Sequence, residues 1–548
     1  MPKIEIREVD LTGQSTAEVT TNAVFVPGYA VMGPVNTPVY CETLEEFRHN
    51  FGDLPYTFQG DQAYPTGFAS GVAPSGNMYS AGDYEKSWIY AAELLYAGIP
   101  VYYVRVKTFT GEGWNASADL KQQKASQEDP DQKGLTITAK DIYSGRIGQK
   151  ISYMLEVVTV PKYRLTITYP NGISEVRLFT IPRNNNDKPT PTYPLYTEIE
   201  FSGVNLSWAA DVSKGLAAVS APVYLVAASA TEGSDEFTVA GMYTKLSATD
   251  GIFKTIENVG DYNVKFITSG AYPLFEYGTT DTLQAMAAAN RHDATAIIDY
   301  VNNTSRALTG TGSVKESFKT AVTNSHYGVN DLKEDVSSYI AMFIPYVTFA
   351  GQVVKEDFVM PGSFAYLRTL AQSTQTNANW MAVAGVRRGT VKQIKALAQN
   401  VTNAIADSYQ SDETGDVAIN PITNINPYGY VIWGNRTALP NGVTGLKASS
   451  FLNVRQLVND IKKTVYVACR RLTFEPNSDV LWVNFKAEIQ PLLERMLTGQ
   501  GIAKYKITRV PTAKKATVVA KIRIWPVDAV EDWDITIEMA DGTTTVSE

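Results

Sequence analysis

The sequence has few of the residues on which metal, nucleophile and nucleotide chemistry usually rests. It holds 3 His and 2 Cys in 548 residues. His49, His292 and His326 form no HExxH pair, and Cys41 and Cys469 lie far apart. A zinc centre or a Ser-His-Asp arrangement therefore lacks its parts. Two distant cysteines make no disulfide framework either, which fits assembly in a reducing cytoplasm. There is no GxxxxGK[ST] loop to cradle phosphates and no GxSxG elbow to present a serine. No cofactor or metal is implied, and the chain reads as a non-enzyme. Basic charge is also short, with 48 Lys+Arg against 56 Asp+Glu for a net charge of -8. A duplex-binding surface needs a dominant basic patch to displace counterions, so direct nucleic-acid contact is not expected. Long apolar runs are missing as well. The most apolar window, residues 339–351, is short and contains Pro345, which argues against membrane insertion. Lys3, Glu5 and Arg7 interrupt the start, so no secretion signal is read there.

The remaining composition is that of a large globular chain, 44% hydrophobic and 19% charged, with length for two to four domains. Tyrosine is abundant, at 31 against 20 Phe and 8 Trp, which suits half-exposed strands and protein contacts. The pattern gives an α+β, multidomain fold: a split α/β core domain, a β-rich insertion, a C-terminal helical and β domain, and extended terminal arms. The expected boundaries are 1–22 for the N-terminal arm, 23–107 and 281–440 for the two parts of the core, and 108–280 for the inserted outer domain. Residues 441–526 form the C-terminal domain and 527–548 the C-terminal arm.

Several local signals support this division. Residues 23–26 read as a buried strand stopped by Pro27-Gly28, and Thr43 is placed to cap a helix at Leu44. Trp88, Ala91, Ala92 and Leu95 fall at helical spacing over 84–97, before Gly98 and a strand at 99–106. Residues 108–132 are polar and read as a linker. Strands are expected at 135–139, 151–158, 164–169 and 175–181, with Pro170-Asn171-Gly172 turning between two of them. Beyond the insertion, 294–301 and 339–349 read as strands, the second interrupted at Pro345, and 391–409 as an amphipathic helix. The strongest periodicity comes late: Val454, Leu457, Ile461, Val465, Ala468 and Leu472 mark one helix. Trp482, Phe485, Ile489, Leu492, Leu493 and Met496 mark a second, which contains Pro491.

Charge is sorted at the C-terminal end. From 501 to 526 every charged residue is basic, namely Lys504, Lys506, Arg509, Lys514, Lys515, Lys521 and Arg523. From 527 every one is acidic, including Asp528, Asp532, Asp534 and Glu538. The acidic stretch alternates Trp533, Ile535 and Ile537 like a strand, and at the other terminus Ile4 and Ile6, with Val9 after them, suggest a short strand. A terminal strand with no core behind it must pair with something. Strand addition between copies is expected through these six residues. Lys514, Lys515, Lys521 and Arg523 would face Asp528, Asp532, Asp534 and Glu538 across subunits.

Taken in order, several segments resemble the contractile tail sheath family of phages. They are Val24-Phe25-Val26-Pro27-Gly28-Tyr29-Ala30, Gly33-Pro34-Val35-Asn36-Thr37-Pro38, the helix–Gly–strand unit through Val106, and Met360-Pro361-Gly362-Ser363. Gly429-Tyr430-Val431-Ile432-Trp433-Gly434-Asn435-Arg436-Thr437, Asn453-Val454-Arg455-Gln456-Leu457 and Phe474-Glu475-Pro476-Asn477 follow. The resemblance implies a structural subunit that polymerises as stacked six-fold rings around a tail tube and contracts to drive the tube through the host envelope. The implied partners are further copies of itself, the tail tube protein, and baseplate and tail terminator proteins. The implied location is the virion tail, after assembly in the host cytoplasm. By the same resemblance the C-terminal helices face the tube, with Lys462, Lys463, Arg470, Arg471, Lys486 and Arg495 as contact candidates. The alternative is a non-contractile tail tube or baseplate structural protein, whose rings or tubes never change diameter.

Overall fold

Two stretches far apart in sequence build one sheet. The computed structural model describes residues 22–53, 83–107, 115–124, 127–144, 146–159, 162–180, 194–200, 216, 218–225, 239–248, 251–272, 288, 290–299, 313–324, 336–355, 357–410, 415–441, 445–512 and 517–527. The first stretch supplies β1 (Val24–Gly28), β2 (Val39–Cys41) and β3 (Val101–Arg105), with helices α1 (Leu44–Phe51) and α2 (Asp83–Tyr96). Then come β4 (Ser117–Lys124), β5 (Gln127–Ala139), β6 (Ser152–Thr159), β7 (Lys162–Thr168), β8 (Ser174–Thr180), β9 (Thr197–Glu200) and β10 (Val219–Tyr224). The chain returns through α3 (Val239–Ser247), α4 (Ile252–Ile256), β11 (Phe266–Ile267), β12 (Thr295–Ile298), α5 (Val314–Asn324), β13 (Ile340–Ile344), β14 (Val347–Ala350), β15 (Asp357–Met360) and α6 (Gly362–Thr374). β16 (Ile394–Leu397), α7 (Asn403–Tyr409), β17 (Asn420–Ile425) and β18 (Gly429–Ile432) follow. The last elements are α8 (Leu452–Leu472), α9 (Asp479–Thr498), β19 (Ile502–Val510) and β20 (Val519–Pro526).

The main sheet has eight strands in the order β18-β17-β13-β12-β11-β1-β3-β2. Its centre is parallel, and the antiparallel β2 and β18 close its edges. Such a sheet is covered on both faces, and the fully buried run Val24-Phe25-Val26 shows why it reads as continuous apolar sequence. Val24 and Val26 pack with α2 and α6 on one side, while Phe25 meets Phe253 of α4 on the other. β11, inside the stretch read as insertion, already pairs with β1. Thr43 caps α1 as read, and its Oγ1 and the Glu46 carboxylate form a reciprocal capping box. Gly98 takes φ +88 at the end of α2, a conformation that favours glycine.

Three local expectations change. The stretch 108–132 is not wholly a linker, because β4 and β5 pair antiparallel through it. A polar ribbon needs only backbone hydrogen bonds, so composition hid it. Residues 391–409 are not one helix. Ile394 pairs with Phe349 in a three-stranded sheet, and only Asn403–Tyr409 is helical, capped by Thr402. Finally, the strand read over 339–349 with its break at Pro345 is two strands, β13 and β14, which lie in different sheets.

The insertion forms two antiparallel sheets, β10-β6-β7-β8 and β4-β5-β9, around Tyr143, Tyr153, Tyr163, Leu165, Tyr169 and Phe179. Tyrosine is thus heavily used inside the fold as well as on its surface. The expected turn is present: Gly172 has φ +80, and its N–H donates to Tyr169 O at 2.9 Å.

Beside the carboxyl end of β1, where doubly wound sheets commonly take ligands, tyrosines fill the space. Tyr103 Oη lies 3.0 Å from Ser87 Oγ, and Tyr272 Oη donates to the same oxygen at 3.2 Å. Nearby, Asp299 at the end of β12 is 2% exposed, accepts from Ser269 Oγ at 3.2 Å and leaves its Oδ1 without a partner. Burial pushes its carboxyl up to about 7. The folded chain therefore holds a proton that the unfolded chain releases near pH 4, so this residue's stabilisation fades as pH rises from about 4 to about 7. Asp299→Asn is expected to raise stability at pH 8 by roughly 2–4 kcal/mol, with the gain shrinking toward pH 4. Urea titrations of both proteins across that range measure it.

Candidate assembly surface

α8 has two faces with different tasks. Leu457, Ile461 and Ala468 pack against Phe485, Ile489, Leu493 and Met496 of α9 and Ile502 of β19. The opposite side is polar yet buried: Asn453, Arg455, Gln456, Asn459, Asp460 and Lys463 are all 8% exposed or less. This side sits on the amino edge of the main sheet. Lys265 Nζ meets Asp460 Oδ2 at 3.0 Å, and Asn459 Nδ2 donates to Thr295 Oγ1 at 3.2 Å. The Arg455 guanidinium lies 4.2 Å from the centre of the Tyr339 ring.

This seat takes up two of the tube-contact candidates, burying Lys463 and half-burying Lys462. Lys463 is buried, donating to Asn263 Oδ1 at 2.8 Å and Val264 O at 2.7 Å, and burial pushes its ammonium down to about 7. Lys462 turns inward, with Nζ 2.7 Å from Tyr339 Oη. Helical spacing separates a polar from an apolar side but does not say what covers the polar one. The other four candidates lie nearer the surface. Arg470 is exposed and donates to Gly260 O at 3.3 Å, Arg471 meets Glu488 at 3.3 Å, and Arg495 lies 5.9 Å from the Trp380 ring centre. Lys486 is half-buried.

β19 and β20 form a two-stranded antiparallel hairpin, with Ile507 opposite Ile522 and Tyr505 opposite Ile524. These four pack against the α8–α9 core, which period-two alternation requires of one face. The other face carries Lys504, Lys506, Lys521 and Arg523, all exposed. Lys506 stands directly opposite Arg523, a like-charge pair that disfavours the hairpin by itself. Trp525 lies between Lys504 and Arg523, 5.4 and 5.9 Å from its ring centre. Among the described residues neither outer edge of the hairpin is paired. An edge of this kind offers a row of backbone N–H and C=O groups, here beside a concentrated positive face.

The hairpin is anchored at its base. Trp380 Nε1 donates to Gly499 O at 3.0 Å, and a Cβ at Gly501 would fall 2.6 Å from the Trp380 ring. Val527 N donates to Gly501 O at 3.2 Å, which sets where the acidic segment departs. Ile4, Ile6, Val9, Lys514, Lys515, Asp528, Asp532, Trp533, Asp534, Ile535, Ile537 and Glu538 lie outside the described residues. Sequence reasoning missed the buried seat of α8 altogether. The only available signal was the excess of Asn, Gln, Asp, Arg and Lys on a helix that also carries a full apolar stripe.

Known proteins align with these features. Residues 447–540 match the family model of the phage tail sheath C-terminal domain, spanning α8, α9 and the hairpin. The tail sheath protein of Vibrio phage KVP40 is 30% identical over 152 residues, which is 27% of this chain and 21% of that protein. The tail sheath protein of Enterobacteria phage T4 is 28% identical over 151 residues, again 27% and 21%. The chain thus spans about a fifth of the length of the curated relatives it matches. In fold, it is similar over 93% of its length to 98% of the sheath tail protein of Listeria innocua, with TM-score 0.55 at 11% identity. A chain of the anti-feeding prophage baseplate in its contracted state gives TM-score 0.51 at 12% identity, covering 98% of both. Residues 447–540 are thus similar to the phage tail sheath C-terminal domain, and the fold over most of the chain is similar to that of a sheath tail protein.

Proposed function

We propose that the chain is a non-catalytic structural subunit that polymerises helically, as stacked hexameric rings, around a tail tube. Contraction of that lattice drives the tube through a host envelope. Its partners are other copies, the tube protein, and baseplate and terminator proteins. It assembles in the host cytoplasm and ends in the virion tail. One observation carries the reading: a hairpin with a basic face, its outer edges unpaired among the described residues, stands directly before an acidic, strand-prone segment. The 527–548 segment of one copy, and the 1–22 segment of another, complete the hairpin of a third. Four to six added backbone hydrogen bonds contribute roughly 2–9 kcal/mol before ordering costs. A single contact is therefore weak, while several per subunit hold a lattice. Head-to-tail contacts of this kind generate helical filaments rather than closed dimers.

Electron microscopy of the purified protein is expected to show hollow striated cylinders that occur in two diameters. Cylinders of one fixed diameter would favour a tube component instead. The triple change Asp532→Lys, Asp534→Lys, Glu538→Lys places like charges on the basic face. It is expected to abolish cylinders while leaving the monomer's melting temperature unchanged. Unaltered assembly would show that the charge blocks take no part.

A further inference from the structure

The two ends of the main sheet carry charge of opposite sign. Outside β18, residues 389–391 close the edge: Val391 N donates to Tyr430 O at 2.9 Å, and Ile432 N to Gly389 O at 2.8 Å. Arg387 and Lys392 flank this segment and are exposed. The next base, Lys395, is matched by Asp357 at 2.7 Å, whereas no carboxylate meets Arg387 or Lys392 among the described residues. The shortage of acid is local to this part of the chain, which has no Asp or Glu from 358 to 406 or from 417 to 459. Tyr428 and Trp433, 56% and 40% exposed, stand at either end of β18.

At the other end of the sheet are β2 and the helix after it, α1. Glu42, directly after β2, and Glu45, in the first turn of α1, are exposed, and no base meets them among the described residues. Glu46 is exposed too, but turns one oxygen back to the N–H groups of Glu42 and Thr43, at 2.9 and 3.4 Å. The bases of α1, Arg48 and His49, are in its last turn, and Arg48 meets Asp53 at 3.5 Å. Tyr40 of β2, 39% exposed, adds an aromatic ring to this end. Burial first, and then the Glu42 carboxylate, push its phenol above the usual range, which places the acid beside the ring.

β2 and β18 are the outermost strands of eight, about 34 Å apart at the usual strand spacing, so the two patches do not meet within one molecule. A sheet with an acidic, tyrosine-bearing end and a basic, aromatic end is complementary to a second copy of itself placed head to tail. We propose that the β2–α1 edge of one core domain docks on the β18 edge of the next copy, with Glu42 and Glu45 facing Arg387 and Lys392. The contact rests on the assembly reading and adds to it a joint between cores that uses neither terminal segment. Exposed ion pairs contribute little singly, so this joint sets the register and spacing of neighbouring cores while linked contacts elsewhere hold the lattice. Repeated head to tail, it generates a ring or a helix, not a closed dimer.

Carbodiimide, which joins a carboxylate to an amine in direct contact, tests the pairing in the assembled full chain. Peptide mapping is expected to find Lys392 joined to Glu42 or Glu45 in polymer and not in monomer. The double change Glu42→Lys, Glu45→Lys is expected to lower polymer yield about tenfold with the monomer's melting temperature unchanged. Adding Arg387→Glu and Lys392→Glu to the same chain restores the complementarity with its signs exchanged, and yield is expected to return to within about twofold of the unmodified protein. Cylinders that form without the cross-link, a reversal that leaves yield unchanged, or an exchange that restores nothing would each overturn the contact and leave the terminal-strand reading standing. So would Lys392 joined instead to the acidic 527–548 segment. An unmodified chain that forms no cylinders at all would sink the assembly reading, and this contact with it.

Discussion

Deletion of residues 1–20 is expected to yield a folded, soluble monomer that no longer forms sheath. The fold does not depend on those residues for its central pairing. β1 starts at Val24 and is bonded on both sides, to β11 through Val24 and Phe25 and to β3 along its whole length. What the deletion removes is Ile4, Ile6 and Val9, the residues proposed to add a strand to a neighbour. Each lost strand addition is worth a few kcal/mol gross, and each 1.4 kcal/mol changes an association constant about tenfold. Because one subunit makes several linked contacts, the loss multiplies along the lattice, and polymer yield is expected to fall at least about a hundredfold. Sedimentation velocity measures the monomer fraction, and thermal unfolding checks that the core melts where the full chain does. Cylinders of normal length from the truncated protein would refute the arm reading.

The sequence was readable where one physical signal dominated. The run at Val24–Gly28, the Thr43 cap, the Gly172 turn and the two long C-terminal helices each follow from a local rule: apolar burial, N–H satisfaction, positive φ or helical spacing. It was unreadable where two signals of equal strength competed. At 391–409 the apolar residues allow a helical face, yet Ile394 is claimed by the β14 strand through backbone pairing with Phe349. Polar strands such as β4 carry almost no hydrophobic signal because their hydrogen bonds lie in the backbone. The candidate site divides the same way. The basic face of the hairpin was visible, since period-two alternation puts Lys504, Lys506, Lys521 and Arg523 together once the strands are known. The inward turn of Lys462 and Lys463 was not, because it depends on Tyr339, Asn263 and Val264, well over a hundred residues away in sequence.

Replacing Glu93 by Ala is expected to give the largest loss of stability of any single change proposed for the core. Glu93 lies in α2, from the first part of the split domain, and is 0% exposed. Its Oε1 accepts from the backbone N–H groups of Gln352 and Val353, both at 2.7 Å, and its Oε2 meets Arg368 Nη1 at 3.1 Å. All three partners come from the second part, so one carboxylate ties the halves together across the insertion. The Arg368 guanidinium is 5.5 Å from the Phe349 ring centre and 6.0 Å from that of Phe364, and its Nε has no hydrogen-bond partner. Removing Glu93 therefore strands a buried cation and two backbone donors at once, a loss of roughly 3–5 kcal/mol. Adding Arg368→Met to Glu93→Ala removes the stranded charge. The double variant is expected to recover part of that loss, although the two N–H groups stay unpaired. Urea midpoints at constant slope report both effects. A Glu93→Ala midpoint close to that of the unmodified chain would mean that the continuous sheet and the apolar packing of α2 against α6 hold the two halves together without this carboxylate.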